Sequence, residues 1–275
     1  MKNLINNFVC FVVICNLTTC IFGDQTRVLL GSPVSKNPDV LKNFLDGLQH
    51  IKHDNFSLDC IFIDDNYFQQ SSDYLKFFEQ KTQNCTIIKS WVKIPPHGTH
   101  KWDLEVIRKV ANFKDFIIER AIEGNYDYLF LIDSDLLLNP NTIKHLITCN
   151  KDIISEIFWT SCKPGSSNKW GNVWSKNEYN LTPGFLNILK NPGIYKVGGL
   201  GACTLISRHA LLMGVKFKEL KNFTFYGEDR HFCVRATALG LTLYVDTHYP
   251  AYHMYFDCDL DGTEQFKRKN NYYKE

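Results

Sequence analysis

Asp133-Ser134-Asp135 stands directly after the apolar run Tyr128-Leu-Phe-Leu-Ile132. In an extended segment residues i and i+2 point to one side, so the two carboxylates are expected to converge just past a dry strand. Such a pair is costly until a cation neutralises it. Mn²⁺ or Mg²⁺ suits it, because these ions take few protein oxygens and complete their shells with water and phosphate. The competing reading is that both aspartates cap a helix beginning near Asn141. Glu228-Asp229 opens another helix. A carboxylate there can take the proton from an acceptor hydroxyl, while the free amides and dipole of a helix start also favour acids for stability and lower their pKa. His253 lies beyond the last strand, where a neutral imidazole can complete a metal shell; His248, His231 and His209 compete with it. Gly198-Gly199-Leu200-Gly201-Ala202 lets backbone approach a ligand closely or turn sharply, and its spacing is not a dinucleotide fingerprint. Trp159, Trp170, Trp174 and Tyr226 suit either a platform for a sugar face or a core. Asp257-Cys-Asp259-Leu-Asp261-Gly262 begins like a calcium loop, but Arg268 stands at the twelfth position where Glu is needed.

The elements that must position these groups alternate. Apolar runs at Arg27 to Leu30, Leu58 to Ile63, Thr86 to Lys89 and Tyr128 to Ile132 read as strands. Helical periodicity separates them over Asn37 to Ile51, Ser71 to Gln80 and Asp103 to Glu123. This order predicts an α/β fold with a central, mostly parallel sheet flanked by helices. Ligands of such sheets bind beyond the carboxyl ends of the strands, where both Asp64-Asp65 and Asp133-Ser134-Asp135 fall. The second half is less regular. A strand is expected over Asp152 to Trp159, a loop over Cys162 to Lys176, and a glycine turn running into a strand over Val197 to Ser207. A helix follows over Glu228 to Leu239, then a strand over Thr242 to Val245 and a histidine-bearing segment from Tyr249 to Tyr255. No linker or repeat divides residues 24–275, which read as one domain.

Residues 1–23 read as a secretion signal, with Lys2 ahead of an apolar stretch from Phe8 to Phe22; a retained anchor is the alternative. No later segment is apolar enough to span a membrane. The location implied is the secretory lumen (ER or Golgi) or the exterior, in keeping with sequons at Asn55, Asn84, Asn180 and Asn222. Cys10, Cys15 and Cys20 fall in the leader, and no pair among the remaining cysteines has zinc-finger spacing; Cys60, Cys203 and Cys233 sit in apolar patterns as core thiols. A net charge of +2 argues against a nucleic-acid partner.

Taken in order, Asp64-Asp65-Asn66, Asp133-Ser134-Asp135, the Gly198–Ala202 block, Glu228-Asp229 and His253 resemble family-2-type GT-A glycosyltransferases. Val197 to Arg208 and Gly227 to Cys233 are similar to a little-characterised bacterial-like branch of them. The resemblance implies a GT-A fold and transfer of a sugar from a UDP- or GDP-linked donor to a glycan, protein or lipid acceptor. It implies that Ser32, Pro33 and Asp64 or Asp65 hold the nucleoside, and that Asp133 faces the ribose or the metal. Asp135 and His253 would bind the metal, Gly199 to Ala202, with Gly201 among them, would line the donor sugar, and Asp229 would be the base with Glu228 beside it. Glu156 to Thr160 and Gly171 to Trp174 resemble fungal mannosyltransferases that retain configuration, so inversion and retention both stay open. Arg108, Lys109 and Lys114 are candidates for the diphosphate. Two other readings compete, a secreted carbohydrate-binding protein without catalysis and a sugar nucleotidyltransferase. The latter's phosphate loop is poorly matched by Gly31-Ser-Pro-Val-Ser-Lys36.

Overall fold

A computed structural model describes residues 25–92, 103–161, 163–175, 182–224 and 226–273. The leader, the loop through Pro95, Pro96 and Gly98, Cys162 and the Asn180 sequon lie outside the described residues.

The first half follows the sequence pattern closely. It runs β1 (Arg27–Val34), α1 (Pro38–Gln49), β2 (Ser57–Asp64), α2 (Gln69–Lys81), β3 (Cys85–Lys89), α3 (Leu104–Glu123) and β4 (Tyr128–Leu131). The Asn37 side chain accepts from the Val40 amide and Pro38 fills the first turn, so α1 starts where an orphan donor is satisfied. Asp103 caps α3 in the same way through Val106. β1 pairs in parallel with β2 and β4, and β2 with β3. β1 continues to Val34 instead of stopping at Leu30. Its pairing with β4 ends at Gly31, so the missing amide hydrogen of Pro33 breaks no bond on that side.

The second half contains β5 (Leu136–Leu137), α4 (Thr142–Thr148), β6 (Ile153–Ser161), β7 (Lys169–Gly171), β8 (Val173–Trp174), α5 (Pro183–Ile188) and β9 (Ile194–Val197). Then come β10 (Gly199–Leu200), β11 (Thr204–Ser207), α6 (Arg208–Leu212), α7 (Glu228–Ala238), β12 (Leu243–His253) and, after a 3₁₀ turn over Asp257–Gly262, α8 (Thr263–Lys269). The main sheet has the order β3-β2-β1-β4-β11-β6-β12-β5. β11 is antiparallel to both β4 and β6, while β12 runs parallel to β6. Apolar clusters cover both faces, one under α1 and α2 and one under α3, α6 and α7.

Three local expectations change. The Cys162–Lys176 segment contains β7, which pairs with β6, and β8, which pairs with β10. Val197–Ser207 is divided among β9, β10 and β11. The last strand and the histidine segment are one strand, β12, with a register shift between Asp246 and Ala251. Pro250 lies in that irregular stretch, where no ladder bond has to be given up.

Candidate active site

Backbone pairing brings Asp135 and His253 together across a sequence separation of more than a hundred residues. β12 pairs antiparallel with β5, setting His253 opposite Leu136, and the Met254 amide donates to the Asp135 carbonyl at 2.9 Å. The His253 Nε2 then lies 3.5 Å from Asp135 Oδ2. The other ring nitrogen, Nδ1, shares a 2.8 Å hydrogen bond with Thr160 on β6, which fixes the ring's orientation. Lys36, two residues past β1, places its ammonium 2.5 Å from the same Asp135 oxygen. Burial would push the Asp135 carboxyl up, but Lys36 and His253 outweigh it and hold the group well below the usual carboxylate range. Burial likewise opposes the charge on Lys36, and Asp135 and Asp133 overcome it. Asp135 Oδ1 is buried with no hydrogen-bond partner. An orphaned carboxylate oxygen beside an oriented imidazole fits a divalent ion, which supplies what that oxygen lacks.

Asp133 stays close enough to Asp135 and Lys36 to feel both, yet it also faces Lys114 and Glu228. The chain does not stay extended past β4: Leu136 donates to the Asp133 carbonyl at 3.3 Å, closing a turn through Ser134. Among the described residues, Asp133, Asp135 and His253 do not form a group with ligand atoms mutually within 4.8 Å; His145, Asp246 and His248 do. Asp133 lines a small pocket with Pro33, Lys114, Gly201 and Asp229. Burial raises its pKa, with Lys114 pulling the other way. Neither aspartate caps α4, whose N-cap Asn141 has its amide on Asn139 Oδ1.

Across that pocket, Gly227 at φ +107 turns the chain into α7, a conformation open to glycine at low cost. The turn carries Glu228 and Asp229 onto Lys114 of α3. The buried ammonium is 2.9 Å from Glu228 Oε1 and 2.9 Å from Asp229 Oδ1. The helix start was expected to lower the Asp229 pKa; the opposite holds. Burial is the largest influence; Lys114 pulls back, Glu228 and Asp133 push further up, and the carboxyl reaches about 7. Its second oxygen, Oδ2, faces Gly201, where even a methyl group would come within 3.2 Å.

The remaining expected residues sort by contact. Ser32 is fully buried, and its hydroxyl donates to the Pro33 carbonyl. Asp64 accepts from Asn66, Ser72 and Lys89. Asp65 pairs with Lys109 at 2.6 Å. Of the three cations considered for the diphosphate, Lys114 alone reaches the carboxylate pocket, since Arg108 pairs with Glu219 at the surface. Gly199 does not line the pocket: a Cβ there would fall 2.0 Å from the Trp174 ring, so its role is to seat that buried indole. Trp170 and Tyr226 are exposed, whereas Trp174 is buried. His231 accepts from the Leu220 amide, His209 pairs with Asp152, and His248 lies on Asp246. Asp259 accepts from the Phe256 amide within the 3₁₀ turn, which is not a calcium loop. Sequence reasoning missed the placement of Lys36 and Thr160. Lys36 had a usable signal, since it follows the carboxyl end of β1 on the ligand-binding edge.

Sheet order and the acidic carboxyl-end rim define the GT-A class. Residues 90–255, well over half of the chain, match the family described as "Glycosyltransferase family 25, N-terminal domain", and the chain belongs to that family. Among solved structures it is similar to S. aureus TarS residues 1–349 in complex with UDP, with a TM-score of 0.55 and 11 % identity over 89 % of this chain and 65 % of that one. The complex of the same fragment with UDP-GlcNAc aligns at a TM-score of 0.52 and 12 % identity over 82 % of this chain and 57 % of that one. The chain thus spans less than two thirds of the length of these solved relatives.

Proposed function

We propose that the protein transfers a sugar from a nucleoside-diphosphate donor, UDP- or GDP-linked, to an acceptor hydroxyl, with inversion. The observation that carries this is the free oxygen of Asp229, on a carboxyl raised to about 7, facing a pocket shared with Asp133 at the carboxyl ends of the strands. A base poised near neutrality is matched to taking a hydroxyl proton as a bond forms. Lys114 holds Oδ1 and so aims Oδ2 at the pocket. Glu228, buried on the same ammonium, sets the local field and does not itself reach the acceptor. The similarity to TarS bound to UDP and UDP-GlcNAc supports a nucleotide-sugar donor.

Asp135 and His253 are the residues that would hold Mn²⁺ or Mg²⁺, with Asp133 near enough to add to the field. Such an ion, when bound, neutralises charge building on the departing nucleoside diphosphate. Lys36 keeps one oxygen of Asp135 and offers its own positive charge to the diphosphate. The leader-like residues 1–23 and the exposed sequon residues Asn55, Asn84 and Asn222 support a place in the secretory lumen.

A panel of UDP- and GDP-sugars tests the reading through nucleotide release by purified protein. One donor should be consumed with Mn²⁺ present, and Asp135→Ala should stop it with the fold intact by circular dichroism. Binding of a glycan without any release would instead leave a carbohydrate-binding protein.

A further inference from the structure

A second set of ligand-bearing side chains lies apart from the donor site and takes no part in the chemistry above. His145 on α4 and His248 on β12 close on one carboxylate oxygen: His145 Nε2 is 3.0 Å and His248 Nδ1 is 2.9 Å from Asp246 Oδ2. The three ligand atoms all lie within 4.8 Å of one another. One helical turn after His145, Cys149 brings its sulfur to 3.7 Å from His145 Nε2 and 4.0 Å from Asp246 Oδ2. The carboxylate is fully buried, whereas the imidazoles are 26 % and 38 % exposed, so the cluster has a closed floor and an open mouth.

The floor of the cluster holds a second carboxyl. Glu156 on β6 stands opposite Asp246 in the strand register, is fully buried and shares a hydrogen bond with it. Two carboxyls, two imidazoles and a thiol thus gather in one place.

We propose that His145, Asp246, His248 and Cys149 form a zinc site that clamps α4 to β12. The ligand set of two imidazoles, one carboxylate and one thiolate is borderline-soft and suits Zn²⁺ better than Mn²⁺ or Mg²⁺. With Zn–N and Zn–O bonds of about 2.0–2.1 Å, neighbouring corners of a tetrahedron are about 3.3 Å apart, and an N-to-S edge is about 3.6 Å. The observed 2.9, 3.0, 3.7 and 4.0 Å spacings lie within a few tenths of an ångström of those edges, while Cys149 stands outside the set of atoms mutually within 4.8 Å and has to close on His248 when the ion binds. The ion ties down β12 at Asp246, where its register shift toward Ala251 begins, and so steadies the strand that ends in His253.

The test uses the chelator-treated full chain, titrated with Zn²⁺ alone and no nucleotide, by calorimetry and thermal melting. At least one equivalent should bind and raise the melting temperature. His145→Gln with His248→Gln should weaken binding by about a hundredfold or more, since a ligand set reduced by half no longer encloses the ion. Asp135→Asn should leave it unchanged, which separates this site from the donor centre. Circular dichroism of the metal-free variants comes first; were the double variant unfolded, His248→Gln alone, the more exposed ring, carries the comparison. With Co²⁺ as probe, a thiolate charge-transfer band should appear and vanish in Cys149→Ser. No Zn²⁺ uptake, uptake indifferent to the histidines, uptake lost in Asp135→Asn, or a band that survives Cys149→Ser would each overturn the proposal.

Discussion

Replacing Asp229 with Asn keeps the shape of the side chain and removes its capacity to take a proton. Positioned general bases contribute about 10²–10⁴-fold, or about 3–5 kcal/mol of barrier, and kcat/KM should fall by that factor. The pH dependence adds a second, sharper signature. With the carboxyl ionising at about 7, only the ionised form acts, so activity should rise with pH. Below neutrality kcat/KM should drop about tenfold per unit. Asp229→Asn should lose that limb along with the rate. Stability moves in the opposite sense. The unfolded chain releases this proton near 3.8 and the native chain near 7, so the unfolded state binds fewer protons between those values and native stability falls as pH rises through the window. The Asn variant escapes that loss, and its melting temperature should gain on wild type from pH 5 to pH 8. The assay is nucleoside-diphosphate release across pH 5–9, with the anomeric configuration of the product read by NMR. A variant with wild-type rates, an unchanged acid limb, or a product of retained configuration would refute the base assignment.

Lys114→Met strands Glu228 and Asp229 without their shared ammonium. Breaking a buried pair this way costs about 3–5 kcal/mol, measurable by denaturant unfolding, and the acid limb of activity should move to higher pH; a shift to lower pH contradicts the account. Lys36→Met frees Asp135, so the nucleotide-free protein should bind Mn²⁺ about tenfold more tightly or better by calorimetry, a gain of about 1.4 kcal/mol or more, and unchanged affinity would show that Lys36 does not compete there. Gly199→Ala drives a methyl into the Trp174 ring and should cost at least about 1–3 kcal/mol in thermal unfolding. Gly184→Ala, with nothing within 4 Å, is the control and should not lower the melting temperature.

The first half of the fold was legible because its signals are local. Continuous apolar runs such as Tyr128 to Leu131 mark buried parallel strands, and Asn37 and Asp103 announce their helices by capping. The second half was blurred because, apart from β6 and β12, its strands are two to four residues long and acquire their state from distant partners: Gly199 and Leu200 become β10 through Trp174 and Val173. The site was legible as a set of residues and not as an arrangement. The turn at Ser134, fixed by tertiary context, breaks the extended run between Asp133 and Asp135. Asp135 is left paired with Lys36, while Asp133 lines the pocket of Lys114 and Asp229. The raised pKa of Asp229 was hidden for a related reason. Helix position favours a low value, and burial among Glu228 and Asp133, which no local pattern records, overrides it.

Anomalous scattering from Mn²⁺ in crystals grown with the preferred nucleoside diphosphate tests the central claim most directly. The account predicts a single strong peak at the nucleotide, within coordination distance of both Asp135 and His253, with Asp229 across the sugar pocket. A nucleotide seated away from the carboxyl ends of β1 and β4, or Mn²⁺ that touches neither residue, would contradict it.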